Sequence, residues 1–214
     1  RHKKTFNKGK VMKLFNSVGP NPKVVRMYMA ERGIEVDLQE VDLMAGENRQ
    51  SDYVKINPGG QLPALELDNG DIIAEITCIC EYLDDRDGGS SLIGTTPEER
   101  AETRMWVRRI DLGILEPLAN GFRFAEGAPM FKDRMTLIPH AAADLKALAQ
   151  EKITWLDGLM DGKEFICGDR FTLADILLFV FIEFGTQVGQ PLNDANKNIA
   201  SLYERVGSRP SAQA

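Results

Sequence analysis

Asn57-Pro58-Gly59-Gly60-Gln61-Leu62-Pro63-Ala64-Leu65 is the stretch of sequence on which the fold turns. Its glycine pair makes a turn, and Pro63 directly after it opens a strand, where a ladder donor is dispensable. Alone, the fragment reads as an ordinary loop entering a strand, because only about 5–6% of X-Pro bonds in folded proteins are cis. The segments on either side change its meaning.

Upstream, Val11-Met12-Lys13-Leu14-Phe15 alternates as a short strand does, and Gly19-Pro20-Asn21-Pro22 breaks it before an apolar-spaced run over 24–31. Gly33 closes that helix, and 36–43 reads as a second strand that can lie parallel to the first. Downstream, Leu65-Glu66-Leu67 and Ile72-Ile73-Ala74 flank Asp68-Asn69-Gly70-Asp71, and Asn-Gly at the centre of a two-residue loop predicts a hairpin. Ile76, Ile79, Cys80 and Leu83 then place one apolar stripe on a helix facing the sheet. The order βαβ, then ββα, resembles the thioredoxin fold.

Asp84-Asp85-Arg86-Asp87-Gly88-Gly89-Ser90-Ser91 is polar, glycine-rich and without period, as a linker is. The expected organisation is a frayed extension over 1–10, a thioredoxin-like domain over 11–87, a linker over 88–96 and an all-helical domain over 97–214. Thr96-Pro97-Glu98-Glu99 is a capping box with proline at the first helical position, and 141–159 reads as a second long helix. Phe171-Thr172-Leu173-Ala174-Asp175-Ile176 combines a capping box with a hydrophobic staple ahead of a helix apolar almost all round. That helix is expected at the centre of its domain.

Composition narrows the function. A chain of 214 residues with 27% charged residues and a net charge of −6 disfavours a nucleic-acid surface and leaves a small molecule as the expected partner. Its 3 cysteines, Cys78, Cys80 and Cys167, are too few for a secreted disulfide framework and lack metal-finger spacing, so a reducing cytoplasm is expected. Its greasiest run, 176–182, is far short of the ~20 apolar residues that cross a bilayer, so no membrane span is expected. With only His2 and His140 present, neither a metal site nor a histidine-based triad is expected, and His140 reads as a structural helix-start residue.

Three motifs in order give the chain a resemblance to the cytosolic glutathione transferase superfamily over nearly its whole length. The 57–65 stretch looks like the family's cis-proline motif, and 75–83 resembles its glutathione-binding helix. Phe165-Ile166-Cys167-Gly168-Asp169-Arg170-Phe171-Thr172-Leu173-Ala174-Asp175 resembles its C-terminal capping motif. The resemblance implies glutathione as co-substrate, no metal, a small-molecule electrophile or disulfide as second substrate, a homodimer, and a detoxifying transferase activity.

It also implies roles for residues. Leu62, before the cis-proline Pro63, would pair through its backbone with the cysteinyl part of glutathione, as an added edge strand does. Glu75 would receive the γ-glutamyl end, beside helix N-terminal amides that can hold its carboxylate. Where the family usually has serine after the acidic residue, this chain has Ile76, so the Ile76 N–H and the Thr77 hydroxyl are the candidates. Gln61 is an amide partner for the peptide, and Arg49 or Lys55 would neutralise the glycyl carboxylate. Glu75 as a helix-dipole residue is the structural alternative.

The catalytic group belongs at the end of the first strand, where Asn16-Ser17-Val18-Gly19-Pro20-Asn21-Pro22 has neither tyrosine nor cysteine. Ser17 resembles the nucleophile-activating hydroxyl of serine-dependent, theta-like transferases. Pro20-Asn21 resembles the threonine-proline-asparagine loop of nu-class bacterial enzymes, with Gly19 in place of the threonine. Asn21 followed by Pro22 also reads as a plain N-cap. Val18, Met105, Trp106, Phe122 and Phe124 are candidate walls for the electrophile or core aromatics. Thiolate transfer to an electrophile, disulfide reduction, and a non-catalytic binding or regulatory module all remain open readings.

Overall fold

A computed structural model of the chain describes residues 11–88 and 91–214, so the extension expected over 1–10 lies outside the described residues. The chain divides into two compact units, Arg1–Asp87 and Gly88–Ala214.

The first unit runs β1 (Lys13–Asn16), α1 (Pro20–Arg32), β2 (Asp37–Glu40), a 3-10 turn (Glu47–Arg49), α2 (Ser51–Ile56), β3 (Ala64–Glu66), β4 (Ile72–Ala74) and α3 (Ile76–Asp87). The sheet order is β2-β1-β3-β4. Strand β1 lies parallel to β2 across the α1 crossover and antiparallel to β3, and β4 is antiparallel to β3. This is the thioredoxin-like βαβ-ββα arrangement.

Leu14 and Leu65, paired across the two central strands, are fully buried on one face of the sheet. Helix α1 contributes Val24, Val25, Met27 and Tyr28 to that core and stops at Gly33, which takes a left-handed conformation and returns its N–H to Ala30 and Met29.

Three details depart from the sequence reading. Strand β2 is confined to Asp37–Glu40 and is exposed along its length, as an edge strand is. The hairpin loop has three residues, because Leu67 N–H still reaches the Asp71 carbonyl at 2.8 Å and Gly70 sits at φ 89°. That is a turn followed by a left-handed residue, the usual three-residue solution.

The polar run that reads as linker from Asp84 onward begins as the last turn of α3. Asp84 is buried, accepts from Tyr28 Oη at 2.5 Å and pairs with Arg32, so charge pairing with α1 draws it inward.

The second unit is helical: α4 (Pro97–Ile110), a π-helical turn (Asp111–Leu115), α5 (Glu116–Arg123), α6 (Ala128–Phe131), α7 (Ala142–Leu159), α8 (Leu173–Gln187) and α9 (Lys197–Gly207). Both capping boxes form, Thr96 with Glu99 and Thr172 with Asp175. Asp175 accepts from the amides of Ile166 at 2.9 Å and Thr172 at 2.8 Å, and burial pushes its carboxyl up to about 6. Helix α8 is buried from Leu173 through Ile182, at the centre of its unit.

Residues 92 and 93 belong to this packing: Ile93 is fully buried and the Leu92 carbonyl accepts from Leu173 N–H at 3.0 Å. Trp106 and Phe124 are buried in this unit, and Phe122 packs edge-on against Phe131 and Phe184. His140 lies in the 3-10 turn Pro139–Ala141 that leads into α7. No helix among the described residues is long and apolar enough to cross a membrane.

Candidate functional site

One rung of the sheet locates the site. Phe15, Ala64 and Ala74 lie side by side on β1, β3 and β4. Immediately beyond that rung the chain leaves β1 at Asn16-Ser17, enters β3 through Leu62-Pro63 and leaves β4 at Glu75. Helices α1 and α3 also begin there. The sequence candidates Ser17, Asn21, Gln61, Leu62, Pro63, Glu75, Ile76 and Thr77 thus all sit on segments at one end of the sheet.

The Leu62-Pro63 peptide is cis. The loop leading into it is fixed by side chains that the sequence reading did not single out. The Gln61 carbonyl accepts from Tyr53 Oη at 2.7 Å and from Asn57 Nδ2 at 2.9 Å, while Asn48 Nδ2 donates to the Gly60 carbonyl at 2.7 Å. Burial pushes the Tyr53 phenol up to about 12, which keeps it a neutral donor at ordinary pH. Tyr53 also packs edge-on against Phe15 and shares a buried cluster with Val41, Leu62 and Ala64.

Leu62 is therefore held by its side chain, and the loop by bonds to its carbonyls. Gly60 has φ 60°, and a Cβ there would lie 3.1 Å from both Arg49 Nη1 and the Asn48 carbonyl. Arg49 consequently lies alongside the loop, exposed like its neighbour Gln61.

Glu75 is the only non-glycine residue with positive φ among the described residues, at 70°. Such a conformation costs about 1–3 kcal/mol for a residue with a Cβ and persists where the surroundings impose it. Its carbonyl accepts from Ile79 N–H at 2.9 Å, which makes Glu75 the residue at which α3 begins. The amides of Ile76 and Thr77 follow in the first helical turn, where no intrahelical acceptor exists. The Glu75 side chain is exposed, and Ile76 and Thr77 are half-buried.

At the exit of β1, Ser17 is buried and its Oγ donates to the Val41 carbonyl at 2.6 Å. A carbonyl cannot donate, so the hydroxyl hydrogen is committed to that bond. Gly19, at φ 107°, precedes α1, and the helix begins at Pro20. Asn21 is thus its second residue, half-buried, and no side chain caps the helix. The N-cap reading of Asn21 is corrected: the left-handed backbone of Gly19 starts the helix earlier, with Pro22 inside the first turn.

Because Pro20 and Pro22 have no N–H, and Lys23 N–H bonds the Gly19 carbonyl at 3.4 Å, Asn21 carries the one main-chain amide of 20–23 without a bond to another described residue. Arg26, one turn further on, donates through Nη1 to Asn16 Oδ1 at 2.7 Å and to the Ser17 carbonyl at 3.2 Å.

Residues 18–86 match the family described as Glutathione S-transferase, N-terminal domain, and residues 139–210 match Glutathione S-transferase, C-terminal domain. Glutathione S-transferase 2 of Saccharomyces cerevisiae is 30% identical over 199 residues, covering 91% of this chain and 84% of the relative. Maleylacetoacetate isomerase of Pseudomonas aeruginosa is 35% identical over 196 residues, covering 87% and 86%.

The solved structure of a glutathione S-transferase domain-containing protein from Marinobacter aquaeolei VT8 superposes with TM-score 0.88 at 33% identity, covering 93% of this chain and 98% of the other. The chain belongs to the glutathione S-transferase family, in which a thioredoxin-like unit precedes a helical one.

Proposed function

We propose that this protein is a glutathione-dependent transferase that binds glutathione at the end of the first unit's sheet and presents its sulfur as a thiolate to a small electrophile. The observation that carries the reading is the strained backbone of Glu75, one residue beyond the rung it shares with cis Leu62-Pro63. Main chain at Leu62 takes the cysteinyl unit, Glu75 the γ-glutamyl ammonium, and the amides of Ile76 and Thr77, with the Thr77 hydroxyl, the γ-glutamyl carboxylate. Arg49 and Gln61, exposed along the same loop, take the glycyl end.

Activation needs the thiol pKa moved from about 8.5 by ~2 units, which is roughly 2.7 kcal/mol. A neutral hydrogen bond supplies ~0.5–1.5 kcal/mol and a helix N-terminus ~0.3–1 kcal/mol, up to ~2 kcal/mol when partly buried, so the two together suffice. Asn21 offers both a side-chain carboxamide and that main-chain amide at the α1 N-terminus, so we assign it the sulfur. Ser17, whose hydrogen goes to Val41, is assigned to holding the loop.

The thiolate is then free to attack carbon, with loss of a leaving group, or the sulfur of a mixed disulfide. We further propose a homodimer in the cytoplasm, a reading that the family resemblance supports; sedimentation checks the dimer.

The test is retention on immobilised glutathione, followed by turnover of an aryl halide, a mixed disulfide and a cis-enone. Retention with turnover supports the reading, and the preferred substrate chooses among transfer, reduction and isomerisation. Retention without any turnover leaves a binding module, and loss of retention ends the glutathione assignment.

A further inference from the structure

The turn that leads into the activating residue has little at its tip to hold it in place by packing. Val18 is 62% exposed, and a Cβ at Gly19 would meet nothing within 4 Å. What fixes the turn is hydrogen bonding at its base. Arg26 Nη1 bridges Asn16 Oδ1 and the Ser17 carbonyl, Asn16 Nδ2 donates to Glu40 Oε1 at 2.5 Å, and Ser17 Oγ reaches Val41. The two residues that leave β1 are clamped by α1 on one side and by the end of β2 on the other.

We propose that Arg26 is a positioning residue for thiol activation: its bridge between Asn16 and Ser17 fixes the turn over 16–19 so that the Asn21 donors face the sulfur. The inference rests on the reading of this end of the sheet as a glutathione site.

The guanidinium is half-buried, which lowers its pKa, and the charge of Glu40 on β2 opposes that shift. Asp84 of α3, the helix packed against α1, is engaged by Tyr28 and Arg32 instead. A cation serving two acceptors makes charge-assisted bonds, about twice as strong as neutral ones, so one side chain can order a turn whose outer residues, Val18 and Gly19, have no packing of their own.

Lysine separates bridge from charge, because its ammonium is one bond shorter than Nη1 and keeps the charge while falling short of the bridge. The experiment compares Arg26→Lys and Arg26→Met with wild type by hydrogen exchange over 16–23 without ligand, by kcat and glutathione KM, and by titration of the bound thiol. Both variants should exchange this segment about tenfold faster, as expected for a lost charge-assisted bond. Both should raise the thiol pKa by about one unit. kcat should fall, while KM stays within about twofold because Leu62 and Glu75 are untouched.

A wild-type thiol pKa and kcat in either variant, with only a lowered melting temperature, overturns the positioning role. Should the methionine variant not fold, the lysine variant decides. A wild-type protein that does not lower the thiol pKa at all sinks the functional reading itself, whereas failure confined to the variants sinks only the role of Arg26.

Discussion

Ser17 Oγ lies 2.6 Å from the Val41 carbonyl, a bond that joins the exit of β1 to the residue after β2. Both groups are buried, and Val41 N–H bonds the Asn16 carbonyl at 2.9 Å in the same tie. Ser17→Ala should therefore act on stability, leaving a buried carbonyl without its donor at a cost of about 1–3 kcal/mol. A thermal melt beside a glutathione titration checks this: the melting temperature falls, while the bound thiol pKa moves by less than in the Arg26 variants, because the Arg26 bridge still ties Asn16 to the Ser17 carbonyl.

Glu75 stores strain where the ligand is proposed to bind, so relief of that strain should trade stability against affinity. Glu75→Gly removes the Cβ penalty of about 1–3 kcal/mol and adds about 0.5–1 kcal/mol of chain entropy cost, for a net stabilisation of about 1 kcal/mol. Glutathione affinity should fall in the same variant and also in Glu75→Gln, which keeps the backbone strain. Denaturant midpoints and calorimetric binding together test the pair. Unchanged affinity in Glu75→Gln contradicts the γ-glutamyl assignment.

The Asp84 carboxylate is buried with Tyr28 and Arg32, so its removal takes a buried charged partner from both the Tyr28 hydroxyl and the Arg32 guanidinium. Asp84→Ala should destabilise by about 3–5 kcal/mol. Urea unfolding measures it, and a loss below about 1 kcal/mol would mean that the pair is held no better than a surface ion pair.

Asp175 has its pKa raised to about 6 by burial, above an unfolded value near 3.9. The native state then holds the proton more tightly than the unfolded chain. The stability that this group contributes is fully present below about pH 4 and is lost as pH rises through about 6. Asp175→Asn should be less stable throughout, since one oxygen must replace two acceptors for Ile166 and Thr172, but it should lack that decline. Melts of both proteins from pH 4 to pH 7 check the sign: the stability gap between wild type and variant narrows as pH rises.

The parts legible in the sequence are those written in local chemistry. Gly33, the 57–65 turn and the two capping boxes announce strand and helix boundaries within a few residues of themselves, and the βαβ-ββα order follows from them. What was not legible depends on distant partners. Nothing near Ser17 says that the Val41 carbonyl will take its hydrogen, and nothing near Asp84 says that Tyr28 and Arg32 will draw it out of a polar run.

Asn21 illustrates a third kind of difficulty. Asn before Pro is a sound N-cap signal, but the left-handed φ of Gly19 starts the helix at Pro20 and turns the residue into a first-turn donor. The loop-holding residues Tyr53 and Asn57 were within reach, since they stand four apart on and after α2, directly ahead of the glycine pair.

The central claim is that Asn21 turns bound glutathione into a thiolate, and ultraviolet titration of the bound thiol in wild type and Asn21→Ala tests it most directly. Wild type should titrate about two units below the free thiol at roughly 8.5. Asn21→Ala keeps the main-chain amide and loses the carboxamide, so its thiol should titrate about one unit above wild type, as a lost neutral hydrogen bond of about 1.4 kcal/mol requires. With no cap to lose, its melting temperature should hold. A variant that titrates with wild type, or a wild type that titrates with free glutathione, would contradict the account.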